Sequence, residues 1–301
     1  MSNTLAFYTL DVFTDTAFEG NPLAVVMDAD GLSTPQMQRM ASEFNLSETV
    51  FVCRARTMGA DATARIFTPA YEMPFAGHPT VGTACLMAEL GLVKGDTLVL
   101  DEQVGPVIVT LRSEAARPLF AQLTAAQAPE QRAWSGEPAV LAAVLGLSAD
   151  DLGYGNERPR EASCGAAFLL VPLRQPELLA GIVFDTARAN ALLKGGWSHG
   201  LYLYARGYDG SLRARMFAPG AGVPEDPATG SAAAALAGVL ALDAAAAGEQ
   251  GELAWTILQG VEMGRPSVLM AAATVSAGGV TAVRVGGHAV RVSEGRIRIP
   301  Q

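Results

Sequence analysis

Short apolar or alternating segments, the pattern of a β-strand, recur along the first half of the chain. They are separated by stretches rich in Gly, Pro, Asn and Asp, which favour turns. The segments predict strands at residues 8–13, 23–27, 49–53, 64–68, 97–100 and 106–111. The first half is therefore predicted to be built mainly from β-strands.

Two stretches of the first half have the apolar spacing of a helix instead. In residues 37–44 the apolar positions recur at i, i+3, i+4 and i+7, and Ser33 opens a capping box ahead of them. Asn45 is suited to end this helix, because Asn tolerates the left-handed conformation. A second helix is predicted from about residue 80 to residue 90, where Gly91 stops it.

The second half repeats this order of elements. It predicts strands at residues 168–171, 201–205, 212–217, 255–258 and 267–272, and helices at residues 186–193 and 232–247. Asp185 is placed to cap the first of these helices. The second is rich in Ala, and its small side chains suit a helix enclosed by sheet.

The two loops that precede the long helices have similar sequences. The stretch from Arg65 to Gly82 has a copy from Arg215 to Gly230. Arg65, Phe67, Pro69 and Pro74 align with Arg215, Phe217, Pro219 and Pro224, and after a one-residue gap Pro79 and Gly82 align with Pro227 and Gly230. In this alignment His78 corresponds to Asp226, and Glu48 corresponds to Ser198. The repeat predicts two similar halves whose helix N-termini face a shared cleft.

The length of the chain also indicates two domains. A chain of 301 residues exceeds the size at which one hydrophobic core usually suffices. Residues 114–138 are rich in Ala, Gln and Pro and form the natural crossing between the halves. The predicted domains are residues 1–117 and 118–282. The sequence leaves open which half the last strands join, and one arrangement completes the first half with residues from about 283 to 301.

The composition indicates a well-buried globular protein, with 50% hydrophobic and 17% charged residues. The formal net charge is −9, and no run of Lys or Arg interleaves with aromatic residues, so a nucleic-acid partner is not expected. Salt screens this net charge, and local donors at a pocket therefore decide which ligand binds.

The three cysteines are scattered, at Cys53, Cys85 and Cys164, which favours reduced thiols over a disulfide framework or a thiolate metal site. The start of the chain lacks the basic and apolar regions of a signal peptide. The longest uncharged run, residues 266–283, is divided by Ser276-Ala-Gly-Gly279 and predicts a hairpin rather than a membrane span. We therefore expect a cytoplasmic protein without a membrane segment.

The start of the Ala-rich helix is a candidate ligand site. Asp226 and Pro227 are placed as its N-cap and first residue. Simple capping is one interpretation, but it does not require the run Thr229-Gly230-Ser231. This run offers hydroxyls and close backbone approach at a helix N-terminus, where free amides and the helix dipole attract an anion.

Gly77 and His78 occupy the corresponding helix start in the first half. Two such termini facing each other would hold a small carboxylate and stabilise negative charge that develops beside it. An isolated histidine is often a structural residue, and that alternative stays open for His78. The titratable Asp226 at the equivalent corner favours a functional role.

Glu48 lies in Leu46-Ser47-Glu48, between a predicted helix and a predicted strand, where rigid structure positions an accessible side chain. A solvated surface carboxylate is the alternative, as for most glutamates. Its flanks are apolar, however, and its counterpart Ser198 is not a carboxylate. A carboxylate buried here would have a raised pKa, which suits a general acid and base near neutrality.

Other chemistries lack their motifs in this sequence. His78, His199 and His288 are scattered without metal-ligand spacing, so no metal site is predicted. The sequence has no G-x-S-x-G motif of serine hydrolases. It also has neither G-x-G-x-x-G after a strand nor a Walker lysine after a Gly-rich loop, so no cofactor is predicted.

Seven motifs spread over almost the whole chain resemble the phenazine-biosynthesis isomerase family, the PhzF-like proteins. They are Gly20-Asn-Pro22, Asn45-Leu-Ser-Glu48, Ile66-Phe-Thr-Pro69, Pro74-Phe-Ala-Gly-His-Pro79, Arg215-Met-Phe-Ala-Pro219, Glu225-Asp-Pro-Ala-Thr-Gly-Ser231 and Leu258-Gln-Gly-Val-Glu-Met-Gly-Arg-Pro266. The resemblance implies an α+β, diaminopimelate-epimerase-like fold with two pseudo-symmetric domains. Each domain is expected to be a curled, mainly antiparallel β-sheet or barrel around a central α-helix, with the active site in the cleft between them. A homodimer is also implied.

The phenazine enzyme of this family isomerises dihydro-3-hydroxyanthranilate without a cofactor, and a glutamate moves a proton between ring carbons. Glu48 matches that glutamate in the Asn-Leu-Ser-Glu motif. The resemblance further implies that His78, Asp226 and Ser231 are catalytic residues. The expected substrate-binding residues are Ser47, Gly77, Thr229 and Gly230.

Related racemases and epimerases use a pair of cysteines, one in each helix-start loop. Those positions are Ala76 and about Pro227 in this chain, so a two-thiol racemase is disfavoured. The predicted function is a cofactor-independent isomerase in which Glu48 moves a proton within a small carboxylated, cyclic substrate. The alternatives are a carboxylate-based epimerase or racemase of amino or hydroxy acids, and a non-catalytic binding protein with the same fold.

Overall fold

The computed structural model describes residues 3–113 and 117–301. Residues 1–2, at the start where no leader is predicted, and residues 114–116, within the predicted crossing, lie outside the described residues. The chain divides into two compact units, of which the first comprises Met1–Thr124 and Gly286–Gln301 and the second comprises Ala125–Val285.

The described residues contain strands and helices in the following order. The strands are β1 (Thr4–Val12), β2 (Asn21–Val26), β3 (Glu48–Arg54), β4 (Ala62–Phe67), β5 (Glu72–Met73), β6 (Thr97–Glu102), β7 (Gly105–Arg112), β8 (Phe120–Thr124), β9 (Glu130–Ala133), β10 (Arg160–Ser163), β11 (Ala167–Pro172), β12 (Gly200–Arg206), β13 (Leu212–Ala218), β14 (Val223–Asp226), β15 (Gly251–Gln259), β16 (Ser267–Ser276) and β17 (Gly279–Arg298). The helices are α1 (Thr34–Phe44), α2 (Gly77–Glu89), α3 (Pro138–Leu145), α4 (Glu177–Ala180), α5 (Thr186–Leu193) and α6 (Gly230–Ala246).

The first unit is a closed ring of strands. Its order is β1, β2, β3, β4, β6, β7, β8 and β17, and β17 pairs with β1 to complete it. The pairs β2 with β3 and β4 with β6 are parallel. Strand β8 follows the boundary predicted at residue 117, and it belongs to the first unit because it pairs with β7 and β17.

Helix α2 lies inside this ring, where it contacts β1, β2, β3, β7 and β8. Every residue from His78 to Met87 is buried, as expected for a helix enclosed on all sides. Gly82 permits the close approach, because a Cβ at this position would lie 2.6 Å from Leu23 Cδ2. The ring and its enclosed helix form the core of the first unit.

Helix α1 packs against the sheet with one face, as its sequence predicts. It buries Met37, Met40 and Ala41, and Ser33 and Gln36 form the predicted capping box. Asn45 ends the helix in the left-handed conformation, with φ of 51°. Both end signals are confirmed.

The second unit repeats the pattern of pairing. Its strands run β9, β10, β11, β12, β13, β15, β16 and the first residues of β17, with parallel pairs β11 with β12 and β13 with β15. The Ala-rich α6 contacts β9, β10, β11, β15 and β16, and all its residues from Ala232 to Ala241 are buried. Each unit is thus a curled, mainly antiparallel sheet around a central helix, which confirms the predicted α+β fold class.

The structure corrects the two predicted helix starts. Helix α2 begins at Gly77, with Ala76 as N-cap, rather than near residue 80. Helix α6 begins at Gly230, with Thr229 as N-cap, so Asp226 and Pro227 are not its N-cap and first residue. Asp226 ends strand β14 instead.

The register of the predicted repeat is also wrong over the loops. Arg65 donates to both carboxylate oxygens of Glu72, and Arg215 donates in the same way to Glu225. These ion pairs align the run from Glu72 to His78 with the run from Glu225 to Ser231. The sequence alignment missed a longer loop, because Glu72 is five positions after Phe67 whereas Glu225 is eight after Phe217.

This register changes the expected counterparts. Ala76 corresponds to Thr229, His78 to Ser231, and Asp226 to Met73. The counterpart of Ala76 in the second helix-start loop is therefore Thr229 rather than Pro227.

The counterpart of Glu48 changes too. Phe51 pairs with Arg65, and Leu203 pairs with the equivalent Arg215. Three residues earlier on each strand lie Glu48 and Gly200. The counterpart of Glu48 in the second half is therefore Gly200, which has no side chain, rather than the predicted Ser198.

Among the described residues no helix is both long enough and apolar enough to span a membrane.

Candidate active site

Glu48 is the first residue of β3, three residues after Asn45, the left-handed residue that ends α1. The four residues after it in the strand, Thr49 to Val52, are all buried. The parallel register of β2 and β3 places Leu23 beside Glu48. The Glu48 carboxylate is 16% exposed, and its Oε2 lies 3.2 Å from Nδ1 of His78. The ring of strands and the enclosed helix thus bring two predicted catalytic residues together.

His78 is the second residue of α2 and is buried. Burial lowers its pKa to about 3, although a hydrogen bond with the Pro22 backbone favours the charged ring. The imidazole is therefore neutral near pH 7, so its 3.2 Å approach to the Glu48 carboxylate is not an ion pair. Within residues 3–113 and 117–301, Nε2 of His78 has no hydrogen-bond partner.

We expect the neutral His78 to make the folded protein less stable in acid. Its folded pKa, about 3, lies below its ordinary value of 6.5. Between these two pKa values the unfolded chain binds a proton at His78 that the folded chain does not bind. The free energy of unfolding therefore falls as pH decreases from 6.5 toward about 3. The His78→Gln variant has no such group, so its free energy of unfolding should fall by about 2 kcal/mol or more less than that of the unsubstituted protein over the same pH range. Urea unfolding at several pH values measures this difference.

His199, which is exposed, offers a matched control for this experiment. The His199→Gln variant should keep the acid sensitivity of the unsubstituted chain. Equal pH dependence in the His78 variant and the unsubstituted protein would contradict the assignment of a neutral buried ring.

In the second unit, the loop before α6 is fixed by Gln259 at the end of β15. Its Nε2 donates to the Asp226 carbonyl at 2.8 Å and to Thr229 Oγ1 at 3.0 Å. Its Oε1 accepts from the Thr229 backbone N–H at 3.3 Å and from the Tyr202 hydroxyl at 3.1 Å. Gln259 is fully buried, so these bonds are shielded from water. The side chain holds the N-cap of α6 in place.

Asp226 and Thr229 are directly bonded, since the Thr229 hydroxyl donates to the Asp226 carboxylate. Both residues are buried. Burial, and after it the Asp226 charge, raises the pKa of the Tyr202 hydroxyl, which stays protonated and able to donate. This network places a buried carboxylate immediately before the N-terminus of α6.

Gly260 follows Gln259 at a position that only glycine fits. Its φ is +75°, and a Cβ there would lie 2.4 Å from the Arg265 carbonyl oxygen and 2.6 Å from that of Pro227. The close approach packs the Gln259 turn against the loop that carries Asp226.

The remaining predicted residues have the following places. Ser47 is partly buried immediately before β3, and Gly77 and Gly230 are the first residues of α2 and α6. Ser231 is the second residue of α6, the position that His78 holds in α2. The structure brings Glu48 to His78 in the first unit and Asp226 to Thr229 in the second.

Two polar residues at the site were missed by sequence reasoning. Gln259 lies within one of the family motifs, yet nothing in its identity indicates the four hydrogen bonds that it makes. Glu102 ends β6 and contacts Thr80 in the first turn of α2, with 2.6 Å between Thr80 Oγ1 and Glu102 Oε1. Both are buried polar residues at the end of a strand.

The cysteines are not placed for proton transfer. All three are buried, and burial raises the pKa values of Cys85 and Cys164 to about 12. The N-cap positions of the enclosed helices hold Ala76 and Thr229 instead. These residues do not provide the thiol pair of a two-cysteine racemase.

Comparison with known proteins adds to this geometry. The sequence profile of the phenazine biosynthesis-like protein family (PhzC-PhzF) matches residues 10–295. An uncharacterized isomerase of Mesorhizobium japonicum is 41% identical, over 98% of this chain and 99% of that protein. The trans-2,3-dihydro-3-hydroxyanthranilate isomerase of Pseudomonas aeruginosa is 38% identical, over 96% and 98%. A crystal structure of a PhzF-family phenazine biosynthesis protein from Bacillus anthracis is similar, with a TM-score of 0.89 and 27% identity over 99% and 100%.

Proposed function

The chain belongs to the phenazine biosynthesis-like (PhzC-PhzF) family and is an isomerase, and we propose that it moves a proton within a small cyclic carboxylate without a cofactor. The proposed substrate is trans-2,3-dihydro-3-hydroxyanthranilate, the compound named for the Pseudomonas aeruginosa relative. The observation that carries the proposal is the contact between the Glu48 carboxylate and the buried, neutral His78.

Glu48 is the proposed proton carrier. Its carboxylate accepts a proton from one ring carbon, and the electron pair of that C–H bond moves into the ring and shifts the double bonds. Glu48 then returns the proton to a different ring carbon, so that atoms, electrons and charge balance within the substrate. Because the reaction needs no oxidant or reductant, the proposal includes no cofactor.

His78 supports this role through its neutrality. A full positive charge beside a carboxylate stabilises its ionised form and makes it a weaker base. A neutral ring that lies 3.2 Å from the carboxylate restricts its position without that penalty. His78 is thus proposed to hold Glu48 in place and leave it basic.

The helix starts are proposed to bind the substrate. Gly77 and Gly230 are the first residues of α2 and α6, where backbone amides and the helix dipole favour an anion such as the substrate carboxylate. Ser47, Thr229 and Ser231 are proposed to contribute hydroxyl groups. Asp226 is proposed as a further catalytic residue of this reaction.

The test is turnover of trans-2,3-dihydro-3-hydroxyanthranilate in deuterated water, followed by NMR and mass spectrometry. We expect an isomer of the substrate that carries deuterium at the carbon that receives the proton, because the proton on Glu48 exchanges with solvent before it is returned. An unchanged substrate without deuterium would reject this substrate. Loss of optical rotation with amino or hydroxy acids would identify an epimerase or racemase, and affinity without exchange across the panel would identify a binding protein.

A further inference from the structure

Thr80, in the first turn of α2, makes two short contacts through one hydroxyl group. Its Oγ1 lies 2.7 Å from the Ala76 carbonyl oxygen and 2.6 Å from Glu102 Oε1. A hydroxyl has one proton to donate, and a carbonyl oxygen has none. Both contacts are hydrogen bonds only when Thr80 donates to Ala76 and Glu102 donates to Thr80. This arrangement requires the neutral, protonated form of Glu102.

The surroundings of Glu102 favour the same form. The side chain ends β6 and is 5% exposed. Among the residues that the structure describes, its Oε2 has no hydrogen-bond partner. An ionised carboxylate with one oxygen left without a partner in a buried place is strongly disfavoured. Burial raises the pKa of Glu102 to about 8, against the lowering effect of the Thr80 hydrogen bond.

The repeat gives independent support. Ala62 pairs with Leu100, and its equivalent Leu212 pairs with Ile257. Two residues further along each strand lie Glu102 and Gln259, which are therefore equivalent. Gln259 contacts the start of α6 through a neutral amide that donates to Thr229. A neutral donor thus occupies the same strand position beside each enclosed helix.

We propose that Glu102, as the neutral acid, is a positioning residue for the start of α2. It donates to Thr80, Thr80 donates to Ala76, and the chain of two bonds fixes the turn that carries Gly77 and His78. This role rests on the proposed function, in which Gly77 binds the substrate and His78 orients Glu48. When Glu102 loses its proton, the Thr80 hydroxyl donates to the Glu102 carboxylate instead, and its hydrogen bond to the Ala76 carbonyl is lost.

The expected pH dependence follows from this role. Glu102 has an ordinary pKa of 4.5 and a folded value of about 8, so the stability it contributes is complete below pH 4.5 and is lost as pH rises through about 8. His78 on the same turn stays neutral above about pH 3, and Cys85 further along α2 has its pKa raised to about 12. Asp101, the neighbour of Glu102, accepts from Thr57 at 2.8 Å on the surface. A transition near pH 8 in this turn is therefore assigned to Glu102.

The experiment compares the full-length protein with its Glu102→Gln and Glu102→Leu variants. Backbone amide signals of Gly77 and His78 are followed by NMR as pH rises through 8. We expect them to shift with a midpoint near pH 8 in the unsubstituted protein and to stay constant in Glu102→Gln, whose amide donates at every pH. Glu102→Leu should have displaced signals already at neutral pH, because Thr80 loses its donor.

Turnover of trans-2,3-dihydro-3-hydroxyanthranilate gives a second measurement. We expect kcat/KM of the unsubstituted protein to fall above about pH 8, and Glu102→Gln to stay within about threefold of it below that pH and to lack the fall. Amide signals that titrate identically in the unsubstituted protein and in Glu102→Gln would overturn the proposal, whether or not Glu102→Leu folds. An absence of turnover in every protein would reject the proposed function alone, since the amide titration is independent of it.

Discussion

The Glu48→Gln variant is expected to lose isomerisation and solvent-deuterium exchange together, by roughly 100- to 10,000-fold in kcat. The amide has the shape of the carboxylate but does not accept a proton at neutral pH. It also keeps the packing against His78, whose Nδ1 lies 3.2 Å from the carboxylate oxygen that is replaced. Since that contact and the site shape persist, KM should change much less than kcat.

The measurement is a pair of assays on the same samples, product formation by absorbance and deuterium entry by mass spectrometry. Glu43→Gln is the matched control, because Glu43 is an exposed carboxylate on the nearby α1 and its replacement should leave both rates unchanged. Deuterium entry at the original rate in Glu48→Gln would remove Glu48 from its role as proton carrier.

The Gln259→Leu variant is expected to be the most destabilising change at the start of α6. Leucine fills a similar volume but leaves the Thr229 N–H, the Tyr202 hydroxyl and the Asp226 carbonyl without the partner that Gln259 provides. Each buried polar group without a partner costs about 1–3 kcal/mol, so we expect a loss of about 4 kcal/mol in the free energy of unfolding. Because the Asp226 loop relaxes, turnover should fall as well.

Urea unfolding monitored by tryptophan fluorescence suits this test, since Trp134, Trp197 and Trp255 all lie in the second unit. Gln250→Leu is the control, as Gln250 is exposed just before β15 and should have little effect. A Gln259→Leu protein as stable as the control would mean that the hydrogen bonds of Gln259 contribute little.

The elements of this fold were predictable because local rules and tertiary structure agree along most of the chain. The apolar stripe of α1, its capping box and its Asn45 stop specify that helix without distant contacts. The small, uniformly apolar side chains of α6 indicated enclosure by sheet, and the residues from Ala232 to Ala241 are buried there. Family motifs then indicated the curled sheet around a central helix that each unit forms.

The register of the repeat was not predictable from residue identities. Prolines occur at several points of both loops, so an alignment that matches Pro74 with Pro224 is as good by eye as the correct one with Pro227. The decisive evidence is the matching ion pairs from Arg65 to Glu72 and from Arg215 to Glu225, which are contacts in space.

The residues of the candidate site were chosen from sequence motifs, but their contacts were not predictable. The nearness of Glu48 and His78 depends on the enclosure of α2 by a ring whose closing strand comes from the far end of the chain. Glu102 lies in no family motif, and the roles of Glu102 and Gln259 follow from their contacts with Thr80 and Thr229.

Strand β17 determines the order in which the two units can complete folding during synthesis. The second unit is a continuous segment, Ala125–Val285, whereas the ring of the first unit is closed by the residues of β17 that follow Gly286. During translation the first unit therefore waits, with β1 and β8 lacking a neighbour, while the later segment emerges and folds. Its exposed strand edges in that interval are sites for aggregation. A ribosome that stalls before β17 is complete would release a chain with one finished unit and one open sheet.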